Sequence, residues 1–122
     1  NTSHNKLEGY VKSYLGGNEK MAASQFKVAL SELKKAGDLP LLARAHLIRM
    51  AAETAVLDDF RDGEYLKIDA LGPDRQNRNF YLFLKCNSHY LQLFLDSLLD
   101  VHCFLLLLIL REEYQIEDRG LQ

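Results

Sequence analysis

Between Leu39 and Leu57 the chain has almost no polar face, and this constrains the fold more than any other stretch. At helical spacing Leu41, Ala45, Ile48, Ala52 and Ala55 form one stripe; Ala43, Leu47, Met50, Thr54 and Leu57 form a second beside it. The polar stripe, His46, Arg49 and Glu53, is narrow. A helix with so little wettable surface packs on two sides, so this one is expected at the centre of a helical domain. Asp38 and Pro40 supply its cap and first-turn proline.

The preceding stretch, Asn18 to Gly37, reads as an amphipathic helix. Ala22, Phe26, Ala29, Leu30 and Leu33 share one face, while Lys20, Ser24, Lys27, Ser31 and Lys34 fall on the solvated one. Asn18 caps its start, and Lys34, Lys35 and Gly37 give a basic last turn and a left-handed stop. The order Ala22, Phe26, Ala29 implies a close partner helix, with the ring plugged between two small residues. Before it, Leu7, Tyr10, Val11, Tyr14 and Leu15 make a short first helix, with Glu8 and Lys12 as an i,i+4 pair. The break Gly16-Gly17-Asn18 favours an antiparallel hairpin between the two, and residues 1–5 are expected to be loose.

Beyond the central helix, Asp58 to Gly63 is a charged turn and Glu64 to Leu71 makes two helical turns ending at Gly72-Pro73. Asp74 caps a further helix carrying Phe80, Tyr81, Phe83 and Leu84, which Asn87-Ser88 either interrupts or bends. His89 to Glu113 is again helical in composition, and the polar residues 114–122 form a frayed tail. Leu, Ala and Lys dominate the uninterrupted runs, so the expected class is all-α, with about five to six helices in one domain. Helical hairpins cover residues 7–74 and C-terminal helices cover 75–113.

Composition and spacing then exclude several functions. A net charge of −2, with basic residues dispersed among acids, leaves no nucleic-acid face. The four histidines show no metal-ligand spacing, and no GxSxG or phosphate-loop pattern occurs. Asp58-Asp59, Glu112-Glu113 and the helix pair Asp96 and Asp100 read as wet charges rather than an acid–base pair. The expectation is therefore a protein that is not an enzyme, with no cofactor and no metal.

Cys103 to Leu110 is wholly apolar, but its eight residues fall far short of the roughly 20 that span a bilayer, so no transmembrane span is expected. The run needs cover from the domain's own helices, from a partner or second copy through Phe104, Leu107 and Leu110, or from a membrane surface. Cys86 and Cys103 read as two buried small hydrophobes, or as one bridge in an exported protein. The chain opens at Asn1 without Met: either a targeting segment was removed or the chain was trimmed. That favours an exported, periplasmic or membrane-anchored origin over a cytoplasmic one.

The hairpin pattern resembles the tetratricopeptide (TPR) repeat, whose second helix carries Ala-x3-Phe-x2-Ala and whose end often carries Pro. Ala22, Phe26 and Ala29 match it, with Gly17-Asn18 at the inter-helix turn. A second partial match runs from Tyr65 through Ile68 to Pro73-Asp74, with Arg61 where a small residue is usual. The likeness covers about residues 7–74 and implies stacked helical hairpins presenting a groove to an extended peptide or a helix. On that resemblance Tyr14, His46, Arg49 and Glu53 are the partner-binding candidates, and Arg49→Glu is expected to weaken binding with little loss of stability. The function implied is a non-catalytic protein–protein interaction module or assembly adaptor, such as a small exported bacterial lipoprotein. The alternatives are a structural homo-oligomer joined through residues 103–110, and a bundle holding an apolar ligand between the third helix and the C-terminal one.

Overall fold

The computed structural model describes residues 2–120, except the side chains of residues 94, 95, 98–104, 106, 107, 110 and 112–120. The interface candidates Phe104, Leu107 and Leu110, and the pairing of Cys103, lie outside the described side chains; Cys86 is exposed and free. The described residues form five α-helices and no strand: α1 (Thr2–Leu15), α2 (Glu19–Ala36), α3 (Leu39–Ala55), α4 (Gly63–Leu71) and α5 (Arg75–Gly120). The chain divides into two units, Asn1–Ser88 and His89–Gln122.

The expected caps are in place. Asn18 accepts a hydrogen bond from the Met21 N–H at 3.1 Å, and Asp38 accepts one from the Leu41 N–H at 3.2 Å. Gly37 sits in the left-handed region at φ 70°, its N–H reaching the Leu33 and Lys34 carbonyls. Asp74 accepts from the Asn77 N–H at 2.9 Å as α5 begins.

Two boundaries differ from expectation. Helix α1 starts at Thr2 rather than near Leu7, and Ser3 is buried, so residues 2–5 are not loose. Helix α5 runs through Asn87-Ser88, where an interruption or a bend was expected, and on to Gly120, where a frayed tail was. The Asn87 side chain donates to the Phe83 carbonyl at 3.1 Å, a local bond that the helix accommodates.

In the first unit α3 is central, as its sequence requires. It packs against α1, α2 and α4, burying Leu42, Ala43, Ala45, Leu47, Met50 and Ala52. Ala22 and Ala29 are 1% and 0% exposed, so the small residues of α2 let it approach closely. At the far side Tyr65 and Tyr81 stack at 4.8 Å, and the buried Asn77 amide donates to the Pro40 carbonyl at 2.8 Å. These contacts tie α4 and the start of α5 to α3.

The orientation of α3 departs from its sequence pattern at the polar stripe and at both ends. Leu41, Arg44 and Ala55 are exposed and Ile48 is half-buried, whereas His46 and Glu53 of the polar stripe are 6% and 2% exposed. In the second unit, the described members of the apolar run, Leu105, Leu108 and Ile109, are exposed rather than covered. Among the described residues, no helix is long and apolar enough to cross a membrane.

Candidate functional site

The inward-facing polar stripe of α3 meets the connection between α3 and α4. That connection begins at a strained residue: Leu57 has φ 60°, a left-handed conformation unfavourable to a γ-branched side chain. The turn returns the Asp58 N–H to the Glu53 carbonyl at 2.9 Å and directs the chain back across the end of α3. Asp58 then accepts the Tyr14 phenol O–H at 2.6 Å and the Asp59 N–H at 2.8 Å.

Three residues further on, Arg61 reaches the buried Glu53. One Glu53 oxygen accepts from Arg61 Nη2, and the other accepts from Arg49 Nη1 at 2.9 Å. Arg49 also donates Nη2 to the Arg61 carbonyl at 3.0 Å, so its guanidinium holds α3 and the connection together. A carboxylate this deeply buried persists because both oxygens meet guanidinium donors.

Opposite this ionic wall stand aromatic and apolar groups from α1 and α2. Tyr10 packs on Tyr14 at 5.7 Å and on Phe26 at 5.0 Å between ring centroids. Together the two sides enclose a cleft of about 420 Å³, lined by Tyr10, Tyr14, Ala22, Ala23, Phe26 and Leu30 and faced by Arg49, Glu53, Asp58 and Arg61. Glu19 and Lys27 complete its lining. A second hollow, about 370 Å³, shares Phe26, Arg49 and Arg61 and adds His46, Gly63 and Glu64.

The electrostatics follow from this packing. Burial, then the Glu53 charge, pushes the Tyr10 phenol up to about 12. Burial and the bond to Asp58 raise Tyr14 further, and that same bond lowers Asp58. The bond to Glu53 raises Arg61. Burial, assisted by Arg49, drives His46 down to about 4, which keeps its imidazole neutral near pH 7. The cleft's charged wall is thus engaged by its own neighbours and formally neutral, and the apolar side faces the open hollow.

All four candidate residues come together here, in altered roles. Tyr14, Arg49 and Glu53 line the main cleft and His46 the adjoining hollow. His46 and Glu53 are buried, and the Arg49 side chain is only 11% exposed, so they shape the wall instead of forming an open surface stripe. Arg49→Glu would set a second carboxylate beside Glu53, so the expectation of little stability loss does not hold. Phe26 is half-buried, forming a wall of both hollows instead of an enclosed plug.

The residues that sequence reasoning missed are Tyr10, Asp58 and Arg61. In the sequence Tyr10 is part of an apolar pattern, and the two charges belong to a charged turn. The available signal was Glu53 itself: a carboxylate in a helix covered on nearly all sides needs a cation, and Arg61 follows it by eight residues. No protein-family model matches the chain, and comparison with curated proteins and with solved structures gave no match.

Proposed function

We propose that the protein is a non-catalytic interaction module, built from TPR-like hairpins, whose α1–α3 cleft seats an apolar side chain of a peptide or helix from a protein partner. The observation that carries this reading is the pairing within the wall. Glu53 and Asp58 are each engaged by neighbouring donors, while Tyr10, Tyr14, Phe26 and Leu30 present ring and aliphatic surface to a hollow of about 420 Å³. A concave site with an apolar lining and a few fixed polar groups suits an anchor side chain, with Arg61 (67% exposed) at hand for the partner's backbone or a carboxylate.

Selection of displayed peptides against the full chain tests it. Enriched peptides should share an aromatic or aliphatic anchor. Ala23→Arg, which fills the cleft from an exposed position of α2, should weaken them at least about tenfold, equivalent to about 1.4 kcal/mol, without lowering the melting temperature. Failure to enrich a sequence, or equal binding by the variant, refutes the reading.

A structural homo-oligomer is favoured separately by the exposure of Leu105, Leu108 and Ile109. Sedimentation showing a monomer at micromolar concentration would remove it.

A further inference from the structure

We infer that His46 is an acid-sensitive latch that holds Phe26, and with it the α2 wall of the cleft, against α3. The inference adds regulation to the cleft proposed above and rests on that reading for its biological consequence.

His46 is 6% exposed, and its Nδ1 is buried without a hydrogen-bond partner. Its ring meets Phe26 edge-on, 5.6 Å between centroids at 81°. A neutral imidazole tolerates this site at the cost of one unmade hydrogen bond. An imidazolium does not, because Nδ1 would then carry a buried N–H and a share of the positive charge with no acceptor in reach.

The surrounding charges strengthen the effect. Arg49 on α3 and Lys34 on α2 oppose protonation, Arg61 of the connection lines the same hollow, and Glu64 in the first turn of α4 is the carboxylate that favours it. Protonation therefore requires the ring to reach water. Phe26 lies edge-on against the ring and forms part of the wall of the hollow beside it, so turning the buried Nδ1 edge outward displaces Phe26. Phe26 also walls the main cleft, and its movement changes the surface on which a partner would rest. The depressed basicity of His46 places this release below neutrality, with Phe26 held in its place beside the cleft at pH 7.

The test follows 8-anilinonaphthalene-1-sulfonate fluorescence and far-UV circular dichroism of the full chain from about pH 7 to about pH 3. Wild type should show an approximately threefold rise in dye emission with its helical signal retained, and His46→Leu should show none. Lys34→Gln should move the midpoint to higher pH by removing a cation, and Glu64→Gln should move it to lower pH by removing the carboxylate. No dye response in wild type, or an equal rise in a helical His46→Leu protein, overturns the latch. If His46→Leu does not fold, the Lys34→Gln and Glu64→Gln variants decide, and coincident midpoints overturn it. No partner is present in this experiment, so its failure is distinct from failure of the peptide selection.

Discussion

Replacing Glu53 with Gln tests the ionic wall with almost no change in volume. In the native protein each carboxylate oxygen accepts from a different guanidinium. Glutamine keeps one acceptor and turns an NH2 group toward the other cation, where donor would face donor. The Arg61 arm contributes little, because that side chain is 67% exposed and solvent screens it. The Arg49 arm matters more: its side chain is 11% exposed, and after the change it meets at best a neutral amide oxygen and the Arg61 carbonyl, with no counter-charge. A hydrogen bond to a buried charged group is worth about 1.5–3 kcal/mol, so the expected loss is about 2–3 kcal/mol. For a unit of the size of Asn1–Ser88, this lowers the melting temperature by roughly 8–24 °C. Urea denaturation followed by circular dichroism gives the free energy, and a double replacement by methionine at Arg49 and Glu53 supplies the control. The double variant should recover to within about 1 kcal/mol of wild type, since a buried ion pair and a packed apolar pair are often nearly equivalent. A loss below about 0.5 kcal/mol for Glu53→Gln alone would show that water, and not Arg49, satisfies the carboxylate.

Phe26→Ala should cost about 2 kcal/mol, below the 3–5 typical of an enclosed Phe, because half of the ring's environment is cleft; a denaturation loss of 4 or more would return Phe26 to the core. Ala29→Leu should destabilise by about 1–3 kcal/mol, as Ala29 is 0% exposed at the approach of α2 to the core, and an unchanged melting temperature would contradict that closeness. Tyr10 and Tyr81 have their phenols pushed up to about 12 from the ordinary 10.0, chiefly by burial. Their contribution to stability is complete below about pH 10 and is lost as pH rises toward 12, because the unfolded chain releases those protons first. Tyrosinate absorbance should therefore show a late ionisation that coincides with unfolding, and a single transition near pH 10 would exclude it.

Local signals in the sequence proved legible where the physics is local. The Asn18, Asp38 and Asp74 caps and the Gly37 stop depend on neighbours within four residues, and each is where the pattern puts it. The start of α1 was missed because Thr2, Ser3, His4 and Asn5 are weak helix formers, and burial of Ser3 is a tertiary effect that outweighs their propensity. Periodicity correctly grouped His46, Arg49 and Glu53 on one face but carries no information about which way that face points. Its direction depends on Arg61, which becomes a neighbour of Arg49 and Glu53 only after the chain turns back at Leu57. The cleft was therefore half visible: its candidate residues were named, and its closing side was not.

The left-handed Leu57 also bears on the order in which the cleft assembles. A leucine does not favour that backbone conformation by itself, so the turn depends on the bonds made beyond it, from Asp58 to Tyr14 and from Arg61 to Glu53. Helices α1 to α3 can pair on local and apolar terms before either bond exists. The ionic wall is then a late event in folding and an early one in opening, a hinged closure fitted to a scaffold already built.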